Sequence, residues 1–487
     1  MAGTSGGTTS TGGRRLVVVS NRVSVPTGRA GPAAGGLAVG LQAALKERGG
    51  LWFGWSGEHG EDAASAEARV VEQGDVAYAL LDLTRDEYRG YYAGFANRAL
   101  WPLCHYRTDL ASYEPEDYAT YRRVNRRFAE ALLPLLRPDD LVWVHDYHLI
   151  PLASELRDLG CGQRLGFFLH IPFPAAQVFA TLPCHDGLGR DLASYDVLGF
   201  HTRTDVRQFT DHQTRELGAR LLAEGDGEAV LAAGGRPFRA IACPIGVDVA
   251  EVEGLVRSRE ARRQAKGMAE GLRGRKLIVG VDRLDYTKGI PQRLRAFEAM
   301  LRDRPEFAKE RAVTFLQISA PSREEVPEYQ SLRRSIERLA GHVNGRFGDH
   351  DWTPLRYVNK TYGRKALAGF FAVSSVCLLT PLRDGLNLVA EEYVVTQDPA
   401  DPGVLVLSRF AGAAEVLDGA LAVNPYDVPG TAARLAQALE MPPAERRERH
   451  AALMAAIRAN DITAWRRRFL AALDDDSGDE EVRAVAA

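Results

Sequence analysis

The sequence predicts an α/β protein made of two doubly wound halves, each a parallel sheet wrapped by helices. Short apolar runs rich in Val, Ile, Leu and Phe alternate with longer amphipathic stretches, the pattern of βα units around buried strands. The runs fall into two sets, parted by an Arg- and Lys-rich stretch around residues 257–275. A chain of 487 residues also exceeds what one hydrophobic core usually organises, so two domains with a cleft between them are expected.

In the first set the predicted strands are LVVVS (16–20), LVWVHD (141–146), GFFLHIPFP (166–174) and VLGFHT (197–202). Val124, Phe128, Leu132 and Leu136 recur every fourth residue, so 122–137 reads as a helix with one apolar face on that sheet. The second set comprises KLIVGVD (276–282), VTFLQIS (313–319), SVCLLTPL (375–382) and VLVLS (404–408). We place the amino-terminal half at 14–248 and the carboxy-terminal half at 249–455. Residues 1–13, rich in Gly, Ser and Thr, read as a disordered tail without the apolar core of a signal peptide. Residues 456–487 read as a helix followed by an acidic tail.

Composition narrows the function. Hydrophobic residues at 45% and charged residues at 26% are the balance of a globular protein, and no stretch is apolar enough to span a bilayer. A formal net charge of -3 with scattered Lys and Arg offers no basic stripe for a nucleic-acid backbone. Cys104, Cys161, Cys184, Cys243 and Cys377 are far apart and odd in number, so they read as reduced thiols and point to the cytoplasm.

The usual cofactor motifs of such folds are missing. No G-x-G-x-x-G follows a strand and no G-x-x-x-x-G-K-[ST] occurs, which disfavours a dehydrogenase and a P-loop nucleotidase. His145 and His148 form H-x-x-H without an acidic third ligand at zinc spacing. No metal and no cofactor is therefore expected.

Two segments carry the strongest chemistry. In VDRLDYTKG, Arg283 and Lys288 leave the carboxyl end of a predicted strand, where open α/β sheets bind ligands. One Arg and one Lys there can neutralise a diphosphate leaving group, with Asp285 orienting either; a salt-bridged surface loop is the plainer alternative. In TPLRDGLNLVAEEY, Asp384 precedes a helix expected near Asn387, so the amides of Gly385, Leu386, Asn387 and Leu388 can face an anion or sugar hydroxyls. Glu392 suits vicinal ribose hydroxyls, and a merely N-capped core helix is the alternative. In the first half, Arg22 and a Gly-rich loop containing Gly36 follow the first strand. Tyr92 and Trp101 are either core aromatics or an amphipathic wall. Asp146 and His170 follow strands at the same sheet edge, although a histidine there is often structural.

SNR (20–22), GGLAVG (35–40), GLWFGWSG (50–57), HDYHL (145–149), HIPFP (170–174), RLDYTKG (283–289) and RDGLNLVAEEY (383–393) together, in this order, resemble trehalose-6-phosphate synthases over about residues 15–470. The resemblance implies a GT-B glycosyltransferase fold, two Rossmann-like domains facing a deep cleft, with a carboxy-terminal helix crossing back to the first domain. It implies transfer of glucose from a nucleotide-diphosphate glucose to glucose 6-phosphate, with retention at the anomeric carbon. Arg22, Tyr92, Trp101 and Arg323 would hold the acceptor phosphate and Asp146 the acceptor sugar. Arg283 and Lys288 would clamp the donor diphosphate beside Gly36, and Glu392 the ribose. His170, Asp384 and the amides from Gly385 to Asn387 would hold the transferred glucose, with Leu388 and Val389 also on the donor side. Glu391 and His201 stand where the family often has Lys and Gln. The rival readings are a pseudo-glycosyltransferase joining a cyclitol nucleotide to an aminocyclitol phosphate, and a silent sugar-phosphate sensor. The donor base stays open among UDP, GDP and ADP, and self-association is compatible with the sequence.

Overall fold

A computed structural model describes residues 14–23, 25, 36–60, 67–323 and 326–475. The predicted tails at 1–13 and beyond 475, and the Gly-rich loop before Gly36, lie outside the described residues.

The first sheet holds β1 (Leu16–Arg22), β2 (Gly50–His59), β3 (Arg69–Gln73), β4 (Val76–Leu83), β5 (Leu141–His145), β6 (Arg164–Phe168), β7 (Val197–Phe200), β8 (Arg220–Gly225), β9 (Glu228–Ala233) and β10 (Arg236–Ala242). Their spatial order is β3-β4-β2-β1-β5-β6-β7-β10-β9-β8. The centre is parallel from β4 to β10, while β3 and the β8-β9-β10 meander pair antiparallel at the rims. The second sheet is wholly parallel and holds β11 (Lys276–Arg283), β12 (Val313–Ala320), β13 (Leu355–Val358), β14 (Val376–Leu379), β15 (Val404–Ser408) and β16 (Leu421–Val423).

The second sheet is ordered β13-β12-β11-β14-β15-β16, so the winding reverses between β11 and β14. In the first sheet the same reversal falls between β1 and β5. Adjacent strands whose connections leave in opposite directions open a crevice at their carboxyl ends, where ligands of such sheets bind. Both of the segments richest in candidate residues thus leave a reversal point. The sequence expectation of two doubly wound halves holds, and so do the eight strand cores.

Strand ends differ from the reading in one informative way. GFFLHIPFP leaves strand geometry after Phe168 and SVCLLTPL after Leu379, because Pro172, Pro174 and Pro381 cannot donate to a central ladder. His170 and Asp384 therefore sit in loops. The helix expected over 122–137 runs from Pro115 to Leu132 and passes into a short 3-10 turn at Leu133–Leu135, where Pro134 removes a helical donor. Its buried face includes Val124, Phe128 and Leu132, as the spacing requires.

Helix α1 (Gly36–Arg48) packs on β1 and β2, and the last described helix, α2 (Ile462–Asp474), reaches α1, β6 and β7 of the first sheet. Trp465 and Phe469 of α2 are fully buried against Trp143 of β5, with ring centroids 4.9 and 4.7 Å apart. Arg164 Nε donates to Leu473 O at 2.8 Å and closes the end of this contact. Phe469→Ala is expected to remove about 3–5 kcal/mol of stability through lost burial and the cavity left behind, measured by urea unfolding.

Candidate active site

The cationic pair faces the other half of the molecule. Arg283 ends β11, and its guanidinium lies over the ring of Trp101, 5.6 Å from the centroid. Arg323, in the loop after β12, lies over the same ring at 4.4 Å. Trp101 comes from the first half, so cations of one half cover an aromatic of the other across the cleft. Lys288 Nζ donates to Asp384 Oδ2 at 2.6 Å, with both side chains 12% exposed.

Local structure explains these positions. Asp285 accepts from the Thr287 amide at 3.0 Å and caps the short turn that turns Lys288 inward. Leu382 N donates to Thr287 O at 2.7 Å, lacing the loop after β14 to the loop after β11. Asn387, at φ 100°, caps the helix α3 (Leu388–Val395) through the Ala390 amide, and its Nδ2 donates to Asp384 Oδ2 at 3.0 Å. Gly385 must lack a side chain here: a Cβ would stand 2.3 Å from His170 O. His170, Gly385 and Asp384 are thereby brought together from the two halves.

On the facing wall, Asp146 has φ 77° and ψ 162°. Arg323 and Tyr106 also carry positive φ. Such conformations cost about 1–3 kcal/mol each and persist where surrounding structure enforces them. Asp146 Oδ1 accepts from the His170 amide at 3.3 Å. Burial pushes the Asp146 carboxyl up to about 6, against the Tyr147 and His170 amides and Arg283, which favour its charge. His170 shares a hydrogen at 3.1 Å with His145. Burial, helped by His145 and His201, holds it well below the ordinary histidine range, so its ring is neutral. Asp384 behaves oppositely to Asp146: burial is outweighed by Lys288, His105 and Asn387, which keep its carboxyl below the usual range.

Tyr92 stacks on His148 at 5.4 Å and 8°, and Arg22 lies over Trp55, a neighbour of Tyr92. Glu392 lies about a turn beyond Asn387 and pairs with Arg364 at 3.3 Å. Gly36 opens α1, and Leu386, Leu388 and Val389 form the start of α3 and the turn before it. Among the described residues, Glu392 bonds to Arg364 and not to Arg283 or Lys288.

Several contributors escaped the sequence reading. Tyr88–Leu100 is a 13-residue π-helix, a form with no simple sequence signature, and it carries Tyr91 and Tyr92. It is tied to both reversal loops by Tyr91 Oη donating to Asn21 at 2.9 Å and Tyr147 Oη donating to Asn97 at 2.9 Å. Arg323 Nη1 donates to Tyr329 Oη at 2.6 Å, which donates to Asp285 at 3.2 Å. Arg293 is fully buried and binds Asp282, Gln317, Thr380 and the Lys288 carbonyl. Its signal was available: Ile290, Arg293, Leu294 and Phe297 follow helical core spacing, so a cation occupies a core position.

The pattern "Glycosyltransferase family 20" matches residues 14–475. A protein of Sinorhizobium fredii called trehalose-6-phosphate synthase is 50% identical over 461 residues, 94% of this chain and 97% of the relative. The Burkholderia xenovorans alpha,alpha-trehalose-phosphate synthase (UDP-forming), solved in complex with glucose-6-phosphate, superposes with TM-score 0.87 at 48% identity, covering 95% of this chain and all of that one. An E. coli structure bound with UDP-2-fluoro glucose superposes with TM-score 0.88 at 44% identity, covering 95% and 99%. The two-sheet architecture is the GT-B glycosyltransferase fold of these structures.

A titration follows from Asp146. A carboxyl whose folded pKa exceeds its unfolded value adds stability at low pH and loses it as pH rises through the folded value, here about 6. Asp146→Asn is therefore expected to stabilise the ligand-free protein by up to about 3 kcal/mol at about pH 8 and to change it little at about pH 4. Thermal unfolding of both proteins across that range is the measurement.

Proposed function

The chain belongs to glycosyltransferase family 20, and from that premise we infer that it transfers glucose from a nucleotide-diphosphate glucose to glucose 6-phosphate, forming trehalose 6-phosphate. The observation that supports the residue assignment is the placement of the two cations: Arg283, though exposed, lies over Trp101 of the other half, and the mostly buried Lys288 pairs with Asp384.

In the reaction, an acceptor hydroxyl forms a bond to the anomeric carbon while the bond from that carbon to the diphosphate oxygen breaks on the same face. The acceptor proton passes to the departing phosphate oxygen. Negative charge therefore grows on the diphosphate, and fixed cations in a water-poor cleft stabilise that state more than the ground state. Arg283 and Lys288 take this role. Lys288 is held in place by Asp384, whose other contacts leave it ionised, and Asp384 with the amides of Gly385, Leu386 and Asn387 binds hydroxyls of the transferred glucose. Neutral His170 can donate to or accept from the same sugar. Leu388 and Val389 line the diphosphate side next to Gly36, and Glu392 takes the ribose once it yields its contact with Arg364.

Acceptor binding falls to both sides of the cleft, Arg323 coming from the second half and the other groups from the first. Arg22 and Arg323 bind the phosphate, with Tyr92 and Trp101 as the amphipathic surface beneath it, and Asp146 binds a sugar hydroxyl. The domain division at residues 248 and 249 then leaves most acceptor-binding groups in the first half and most donor-binding groups in the second, with Arg323 and His170 each reaching across, and α2 crossing back to the first half. UDP-glucose is the first donor to test, given the UDP-forming relatives. No metal is required by this scheme, since side chains supply the positive charge. Five free and buried cysteines favour a cytoplasmic setting, and among the described residues no helix is long and apolar enough to cross a membrane.

Purified protein is expected to release nucleoside diphosphate from UDP-, GDP- or ADP-glucose only when glucose 6-phosphate is present, and to do so in excess chelator. No release from any of the three donors sinks the proposal. Arg283→Ala and Lys288→Ala are each expected to raise the barrier by about 2–4 kcal/mol, a loss of roughly 30- to 1000-fold in kcat. Arg22→Ala and Arg323→Ala should instead raise the KM for glucose 6-phosphate, and normal saturation by it in both variants would displace the acceptor site from these residues.

A further inference from the structure

Residues 243–248 join β10 of the first sheet to the helix Val249–Val256 that leads to the second, and groups from both halves hold them. Cys243 N donates to Phe200 O at 2.7 Å, and Ile462 N donates to Val247 O at 3.3 Å. Gly246 is pressed against the start of α2, where a Cβ would stand 2.0 Å from Asn460 O. Two amides of this segment are satisfied by side chains. Ile245 N donates to His201 Nδ1 at 3.4 Å, and Val247 N donates to Glu391 Oε2 at 3.0 Å. Both acceptors are buried, His201 at 4% and Glu391 at 3% exposure.

Each acceptor leads to a different part of the donor side. His201 follows β7, and its ring centroid lies 5.4 Å from that of His170, whose carbonyl abuts Gly385. Glu391 lies on α3, next to Glu392 and one turn from Asn387. Alternate amides of one joining segment are thus linked to the His170 loop of the first half and to the donor helix of the second.

We propose that His201 and Glu391 are positioning residues that key the segment 243–248 to the donor site, setting His170 and α3 in register across the cleft. This rests on the reading of the cleft as a nucleotide-sugar site. Neither residue touches the donor; each acts through its neighbours.

The chemistry of the pair fits acceptor roles. Burial pulls His201 down to about 3, against Asp384 and the His170 main chain, so a neutral ring nitrogen faces the Ile245 amide. Burial pushes Glu391 up to about 8, with the Val247 amide opposing and Glu392 reinforcing. A neutral carboxyl is closely copied by glutamine in shape, charge and acceptor capacity. Methionine keeps the volume and removes the acceptor.

The test is steady-state kinetics with UDP-glucose and glucose 6-phosphate, joined to calorimetric UDP-glucose binding and thermal unfolding, on the wild type, Glu391→Met, Glu391→Gln and His201→Phe. Glu391→Met and His201→Phe are expected to weaken UDP-glucose binding and raise its KM by about 3- to 30-fold, with the KM for glucose 6-phosphate within about two-fold of wild type. Glu391→Gln is expected to restore the donor values. Unchanged donor affinity in Glu391→Met, equal shifts for both substrates, or no recovery with Gln overturns the inference. A wild type that binds UDP-glucose but never turns it over overturns the reaction proposed above instead, because the binding comparison still reads the positioning role.

Discussion

The proposed donor side of this cleft depends on one buried cation, Arg293. Its guanidinium is fully enclosed and reaches Asp282 at 2.6 Å, Gln317 and Thr380 Oγ1 at 3.0 Å, and the Lys288 carbonyl at 3.3 Å. These partners come from β11, β12, the end of β14 and the Lys288 turn, so a single group fixes where the winding reverses. A buried ion pair is not a secure source of stability, since desolvation offsets most of its attraction. Its value is geometric: several donors of a planar fork specify one arrangement of the elements that meet there. Without it, the turn bearing Lys288 and the loop bearing Asp384 would keep the Leu382 to Thr287 main-chain link, the bond from Thr380 Oγ1 to Gly289 O at 3.3 Å, and their own ion pair.

The same low-polarity setting tunes the carboxylates in opposite directions. Asp384 and Asp285 each lie among cations, and both stay below the ordinary carboxylate range although burial opposes this. Asp146 has only two amides and a more distant Arg283, and burial prevails. The division matches what each must meet. In the proposed roles, Asp384 orients a Lys and must remain charged whatever hydroxyl it also meets, whereas Asp146, with no such partner, can bear a raised pKa that a bound hydroxyl relieves by hydrogen bonding.

The fold was legible because parallel strands buried on both faces read as continuous apolar runs, and eight of these stand in the sequence. The rim strands β3, β8 and β9 were not, since their mixed, half-exposed sequences carry no such run. Candidate residues were legible where they follow a strand directly, as Arg283, Asp146 and Asp384 do. Their partners were not, because contacts such as Trp101 under Arg323 or Tyr329 beside Asp285 join residues far apart in sequence. The π-helix escaped for another reason: Tyr88 and Tyr92 stack at 5.2 Å at a spacing of four, which an ordinary α-helix also places on one face, so the sequence carries no mark of the wider winding.

A cleft lined this way must reconcile a preformed donor site with two halves joined by a chain segment. Preorganised cations stabilise a developing charge only if they do not move when it appears, so the loops after β11 and β14 have to be rigid before substrate arrives. Arg293 supplies that rigidity within one half, but it cannot set the distance to His170, which belongs to the other. Contacts crossing between halves can set it, among them His170 O against Gly385, the cations over Trp101, Glu415 accepting from Arg203 N, Thr204 N and Thr204 Oγ1, and the joining segment docked on both sides. On the proposed assignment, the first two lie beside the bound substrates. The joining segment instead buries its own Ile245 and Val247 with Trp465 in a core continuous with Leu379 and Tyr393. Alignment of the halves is therefore most economically stored there, in buried main-chain bonds that substrate does not disturb.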